Sequence, residues 1–454
     1  MQTLGVYVVS RLWLVVVFAQ AAAHQPTTGW TTTASPSYFE FVASQFDGAW
    51  YHKITQCQPD CGFLGLGYPS ELPVGADGSV QQNAWAFFPG FPLLVRTVMT
   101  LTGGTWTVTA PLVATVLGAL AMLVVYRLVT DAAPAARPGL PLATVALVCA
   151  FPTAPVLQTA YTESLALLLV ALSLWAVVRC WYPMAAVTVA ALGFTRAVAL
   201  PMAVVVAVHA GARWWAARQP GARGGARRGR DAPVPGSDSA DEPADGSSSG
   251  PADGPAQHGR DHVPVRDWVQ IGGLFVVTVV SGFVWPWITA WRTGTPNGYL
   301  RTQEAWRATA TDPFAGWQVA QFWVGKLFSW LGIGLDPATA DQTLRTATVV
   351  LVIAALVLVV TLLAVPAGRR TGPELVAWSA GYLGYLAAVV EPGSSLARFL
   401  LLAFPMAAGS AGLVTRPPWA RRAWLAVLLV VMLWLQVVWV DGTWTYGSGE
   451  NWPP

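Results

Sequence analysis

The feature that most constrains this chain is a series of apolar runs, each close to the length that crosses a bilayer. They cover roughly residues 4–23, 105–128, 141–159, 162–180, 183–210, 267–291, 346–366, 374–390, 396–414 and 422–440. A hydrocarbon core about 30 Å thick takes about 20 residues of helix, and within it every backbone N–H and C=O needs a partner in its own segment. The fold expected is therefore all-α, a polytopic transmembrane helical bundle of about ten spans or half-spans. With 54% hydrophobic and 11% charged residues, the chain lies outside the composition of soluble domains. Its net charge of +3 gives no basic surface for a nucleic acid. Of 26 basic residues only Lys53 and Lys326 are lysines, a bias that, with the abundance of Ala, Val, Gly and Pro, points to a GC-rich bacterial genome and so to a bacterial plasma membrane.

Arginine placement sets the expected orientation. "YRLVTDAAPAARPG", "VVRCWYP", "GRRTGPE" and "TRPPWARR" fall on one side if the N-terminus is cytoplasmic. The loops 24–104, 292–345 and 391–395, and the tail from Asp441, then face outward, the first of them being large. The first run has a second reading as a signal peptide, because Arg11 shortens its apolar core and "FAQAAAH" resembles a cleavage site. The run 183–210 has Arg-bearing sequence at both ends, so it is expected to dip in and return as two short helices with "GFTRA" at the turn. Residues 211–266, rich in Gly, Pro, Ser, Asp and Arg, read as a disordered cytoplasmic linker. This divides the chain into an N-terminal membrane module, 1–210, and a C-terminal one, 267–454.

The residues able to carry chemistry gather in and around the first outer loop. Asp47, in "SQFDGAWYHKI", is either a general base able to take a proton from a bound hydroxyl or the cap of a helix beginning there. Trp50, Tyr51, His52 and Lys53 follow it, the last two as candidate phosphate contacts or ordinary exposed loop residues. Cys57 and Cys61 lie in an oxidising compartment on this topology and are candidates for a local disulfide; with only His52 nearby they make an incomplete metal set. Cys149 and Cys180 read as packed thiols. "AFFPGFPLLVRTVM" is too short and too proline-rich to span, and reads as an interfacial or re-entrant helix flooring a cavity.

Ionisable residues at membrane depth are functional candidates because burying them unpaired is costly. Arg196, in the middle of an apolar run, is the stronger candidate for holding a phosphate, with an ion pair as its structural alternative. Arg398 is the second, its alternative being a side chain that snorkels to the interface. Glu163, beside Tyr161 in "YTESL", either caps its helix, pairs with Arg196 or helps bind an acceptor. In the second outer segment Tyr299, Gln303, Glu304 and Trp306 could close a groove or belong to the aromatic belt.

Taken in order, "FDGAWYHKI", "NAWAFFPGFPLLVR", "FPTAPVLQTAYTESLALLL", "GFTRAVALP" and "LARFLLLAFP" resemble the PIG-V family of mannosyltransferases, multi-span GT-C glycosyltransferases with bacterial relatives. The resemblance covers about 1–210 and 391–410. It implies a GT-C membrane fold and inverting transfer of mannose from a polyprenyl-phosphate carrier onto a hydroxyl of a lipid-linked or cell-surface glycan, at the outer leaflet. Asp47 matches the acidic residue of the family's first-loop motif and would be the base, with Arg196 and Arg398 on the departing phosphate. No cofactor is implied beyond the lipid-linked donor, and no metal, since arginines can neutralise a single phosphate. The chain departs from the family at "AVA" after Arg196, at Gly90, where a bulkier residue is expected, and in its long linker. Other readings of the residues are transfer of a different polyprenyl-linked sugar such as arabinose, a lipid or solute transporter, and a non-catalytic scaffold.

Overall fold

The computed structural model describes residues 1–27, 31, 33–58, 61–133, 139–218, 264–306, 321, 324–325, 327–329, 331–350, 370–389, 395–414 and 416–445. Among these there is no strand, only an isolated bridge between Val74 and Val80. The named helices are α1 (Gln2–Ala23), α2 (Tyr38–Ser44), α3 (Asp47–Thr55), α4 (Gly90–Thr102), α5 (Trp106–Ala132), α6 (Leu140–Ala150), α7 (Glu163–Val178) and α8 (Tyr182–Gly193). They continue with α9 (Met202–Arg218), α10 (Val265–Thr293), α11 (Gly298–Glu304), α12 (Pro373–Val389), α13 (Leu396–Phe399), α14 (Pro405–Gly412) and α15 (Pro418–Trp439).

This is a helical membrane protein. Among the described residues α1, α5, α10 and α15 are long and apolar enough to cross a bilayer, and α4, α6, α7 and α8 are shorter apolar helices. Val8, Val9 and Leu12 of α1, Phe275, Val280 and Phe283 of α10, and Val427, Val430 and Trp434 of α15 are exposed. Continuous apolar faces of this kind are excluded from water in soluble proteins and belong against lipid. The expected span 346–366 lies mostly in 351–369, outside the described residues.

Helix α7 packs along α5 and α8, α8 against α10, α9 against α12, and α6 against α14 and α15. One core runs through Leu14, Phe18, Met122, Leu167, Val205, Leu274, Trp378 and Trp439, so the helices on both sides of the linker share it. Small residues permit the closest approaches. A Cβ on Gly118 of α5 would meet the Tyr7 hydroxyl of α1, and one on Gly193 of α8 the Ser281 backbone of α10.

The run 183–210 is two helices, as its flanking arginines imply. α9 returns to the start of α8, where His209 Nε2 lies 3.1 Å from the Tyr182 hydroxyl and Arg213 Nη1 donates to that same hydroxyl at 2.5 Å. At this end of the bundle His209 also pairs with Glu374 of α12 at 2.8 Å, and Arg213 with Asp267 of α10 at 2.9 Å. α9 extends through "GARWWAAR" into the expected linker, because these Ala and Arg residues are good helix formers and the Arg218 guanidinium lies 3.6 Å over the Trp214 ring. The rest of the linker, 219–263, lies outside the described residues.

Two expected spans are broken. The run 141–159 leaves helix at Ala150, since Pro152 and Pro155 disfavour helical backbone before them; a 3-10 turn, Ala154–Gln158, follows. Its freed carbonyls are bonded from elsewhere: Arg11 donates to Ala154 O at 2.9 Å and Cys149 O at 3.4 Å, and Gln436 to Cys149 O at 3.0 Å and Phe151 O at 3.1 Å. The run 396–414 is likewise divided, into α13, a 3-10 turn (Leu400–Ala403) and α14, with Pro405 opening the last.

Candidate active site

The loop 24–104 folds over one end of the bundle. α2 ends at Ser44, and Gln45 is extended. Phe46, with φ 49° and ψ −117°, then turns the chain so that Asp47 opens α3. Backbone of this kind is costly for a residue with a side chain and persists where its surroundings impose it. Asp47 is not the helix cap: the capping position is Phe46, which makes no side-chain capping bond. Asp47 Oδ2 instead lies 2.5 Å from Nη1 of Arg398 on α13.

Arg398 does not snorkel to an interface. Its side chain is 7% exposed, and Nη1 also stands 3.5 Å from Oε1 of Glu163, the first residue of α7. That carboxylate, 1% exposed, accepts from Arg196 Nη1 at 2.7 Å, and Arg196 donates further to Thr162 Oγ1 at 3.2 Å. Four charges thus form one chain, Asp47, Arg398, Glu163, Arg196, with no net charge. Desolvating them is expensive, and mutual pairing offsets the cost only while the set is complete. Rings support the cations: Arg398 lies 5.1 Å over Tyr161, and Arg196 lies 4.3 Å over Phe399.

Among the other residues singled out in the sequence, Tyr51 joins this cluster. It stands one turn from Asp47 on the same face of α3, and its hydroxyl donates to Thr162 Oγ1 at 3.5 Å. Burial, with the Asp47 carboxylate adding to it, raises the Tyr51 phenol well above its ordinary range and keeps it protonated. Trp50 lies one turn from Asp47 but packs into the loop, while His52 and Lys53 project from other faces of α3. Trp50 stacks on Phe87 at 5.6 Å, Lys53 Nζ sits 4.9 Å over the Trp50 ring, and His52 stacks on Trp106 at 5.4 Å. Burial pushes the His52 imidazole below its ordinary range. These three pack into the aromatic body of the loop. Cys57 and Cys61 are joined as a disulfide. Cys149 is buried, but Cys180 is exposed at the α7–α8 turn, where its φ is positive, 3.1 Å from Arg213 Nη1.

α4 is the short helix expected from "AFFPGFPLLVRTVM", and Gly90 opens it for a steric reason. Its N–H donates to Phe194 O at 2.8 Å, and a Cβ there would come within 2.8 Å of that oxygen and 2.9 Å of Thr195 Oγ1. The loop helix thereby lies directly on the turn that carries Arg196. Between α4, α7 and α8 lies a cavity of about 430 Å3 lined by Leu64, Pro89, Leu93, Leu165, Leu169, Phe194 and others, almost wholly apolar. From the second outer segment, Trp306 packs on Trp50 and Phe87, Tyr299 packs on Phe88, Gln303 donates to Ala86 O at 3.4 Å, and Asn83 to Thr302 Oγ1 at 3.2 Å.

Among the described residues no three His, Cys, Asp or Glu side chains converge as a metal-ligand set. Sequence reasoning missed the aromatic supports. Phe399 lies under Arg196, and Trp444 lies between Phe46 and Tyr161. Adjacency to Arg398 was a usable signal for the first; the second had none.

No protein-family model and no curated protein matches the chain. Among solved structures it is similar to two of the oligosaccharyltransferase AglB from Archaeoglobus fulgidus. One is tethered through a disulfide bond with an acceptor peptide containing the NVT sequon, at 11% identity and a TM-score of 0.46. The other is in complex with an inhibitory peptide and a dolichol-phosphate, at 11% identity and a TM-score of 0.45. Each likeness covers 99% of this chain but 56% of the other, so the chain spans about half the length of these structures.

Proposed function

We propose that this protein is a membrane glycosyltransferase of GT-C type that moves mannose from a polyprenyl-phosphate carrier to a hydroxyl of a lipid-linked or cell-surface glycan. Its site would face outward from a bacterial plasma membrane. The observation that carries this reading is the buried chain of Asp47, Arg398, Glu163 and Arg196, in which a carboxylate of 20% exposure pairs with one guanidinium group and is linked through Glu163 to a second, under a large loop. Arg179, Arg213 and Arg218 belong to the opposite end, which supports a cytoplasmic placement for that end.

In this mechanism Asp47 accepts the proton of the acceptor hydroxyl. That oxygen forms its bond to the anomeric carbon as the bond from that carbon to the phosphate oxygen breaks, its electron pair leaving on the phosphate and the configuration inverting. Arg398 and Arg196 neutralise the departing charge, and Arg suits this because its planar fork bonds two oxygens at once. Arg398 has a double role. While it pairs with Asp47 one carboxylate oxygen is engaged, and a phosphate that draws the guanidinium toward itself leaves that oxygen free to accept the proton. Glu163 keeps both cations aligned, as a positioning residue and not an acceptor ligand.

The test uses membranes containing the protein, supplied with radiolabelled polyprenyl-phosphate mannose. Asp47→Asn is expected to lower transfer of label by roughly 10²- to 10⁴-fold, the range for loss of a general base, with the protein still folded. Transfer at the wild-type rate would overturn the assignment of Asp47, and no transfer by the wild type would overturn the enzyme reading in favour of a transporter or scaffold. A parallel arm with polyprenyl-phosphate arabinose identifies the sugar.

A further inference from the structure

The geometry points to Trp444 as a positioning residue that holds the base and the cation of the proposed reaction in register. The inference rests on the reading of Asp47 and Arg398 given above. Trp444 ends a π-helical turn, Val440–Trp444, that continues α15 and is closed by a bond from Thr445 N to Val440 O at 3.3 Å. Such wide turns are rare and tend to occur at functional sites, where they redirect a side chain. Here the redirected indole is fully buried.

Its ring stands edge-on to Phe46 at 6.2 Å and tilted against Tyr161 at 5.3 Å. These two residues are the immediate supports of the ion pair. Phe46 holds the positive-φ turn that aims Asp47 from the start of α3, and Tyr161 carries the Arg398 guanidinium on its face. Phe18 and Phe41 close the other side of the indole at 5.5 and 6.5 Å, tying it to α1 and α2. One side chain from the turn that follows α15 thus braces both partners, which come from parts of the chain far apart in sequence. Removing it frees the Phe46 backbone to relax toward an ordinary conformation, and Asp47 moves with it. A misplacement of about 1 Å at a reacting group costs roughly 10²-fold in rate.

The experiment measures label transfer from polyprenyl-phosphate mannose in membranes holding W444A, W444F, D47N or L174A, the last removing a fully buried core side chain of α7 that is outside the site. W444A is expected to lower the rate at saturating donor by roughly 10- to 100-fold while moving the donor KM by less than about 3-fold, and W444F to recover most of the loss. L174A lowers the melting temperature and leaves the rate per folded molecule unchanged. If W444A does not accumulate, W444L carries the same expectation. A wild-type rate in W444A or W444L, or a loss no greater than in L174A, overturns the inference. Wild-type transfer by D47N instead overturns the reading of the site, whatever the Trp444 variants do.

Discussion

The pair between Asp47 and Arg398 can be weighed by a double-mutant cycle. The perturbations are Asp47→Asn and Arg398→Gln, alone and together, each keeping size and polarity while removing one charge. The groups approach to 2.5 Å, with side-chain exposures of 20% and 7%. Charge centres about 4 Å apart attract by about 4 kcal/mol at an effective dielectric of about 20. Two features of the site reduce this. Asp47 is partly hydrated, and Glu163, 3.5 Å from the same Nη1, remains as a partner for Arg398 when Asp47 is neutral. A coupling of about 2 kcal/mol is therefore expected, within the range for contacting groups in one network. The assay is thermal melting in detergent. Each single variant should melt several degrees below the wild type, and the double variant little below the worse single, since the second neutralisation relieves the charge that the first left buried. Additivity to within about 0.5 kcal/mol would mean that the two side chains do not act on each other, and would refute the reasoning.

Arg11→Met leaves Ala154 O in the bundle without its donor, while Gln436 still serves Cys149 O; a loss of about 1–3 kcal/mol is expected, read as a lower melting temperature, with Arg11→Lys intermediate. Gly90→Ala forces a Cβ against the 194–195 turn and should displace Arg196, lowering the proposed mannose transfer by roughly 10-fold or more, where Leu101→Ala at the exposed far end of α4 should not. Because burial lowers the folded-state pKa of His52, the unfolded chain takes up the proton first as pH falls below about 6.5, so stability declines on acidification; a melting series from pH 7.5 to about 5 should show a fall that His52→Asn reduces.

The bundle was legible because its cause is local. An apolar run long enough to span can be counted without knowing its neighbours, and the hairpin 183–210 followed from arginines at both its ends. The breaks at Ala150 and Pro405 were visible as prolines but were outweighed by hydropathy, which is blind to backbone conformation. The site was legible in its members, since ionisable residues stand out in a chain so apolar, and Asp47, Glu163, Arg196 and Arg398 were each singled out. Their pairing was not. Whether Arg398 meets water, lipid or Asp47 depends on how α13 packs over α7, which no local pattern encodes. For the same reason Trp50, His52 and Lys53 looked like neighbours of Asp47: adjacency in sequence placed them together, but the 100° step of a helix carries His52 and Lys53 away, and Trp50 is drawn onto Phe87.

Two buried arginines differ in the hydrogen-bonding capacity they leave unused. Arg11 gives its donors to Ala154 O, Cys149 O and Ser10 Oγ, groups that accept and have no further chemistry. It completes a broken helix end, and a second ligand would have to strip those carbonyls of a partner. Arg398 faces two carboxylates through one nitrogen, reaches Ser395 Oγ at 3.3 Å through another, and leaves its Nε without a hydrogen-bond acceptor though buried. A guanidinium has five N–H donors, and buried donors are seldom left unpaired without cause. An anion reaching Arg398 would add acceptors where donor capacity is in excess, and would relax the attraction that holds Asp47. At Arg11 the same anion would gain nothing. The difference lies in hydrogen-bond accounting and not in burial, which is nearly equal for the two residues at 6% each.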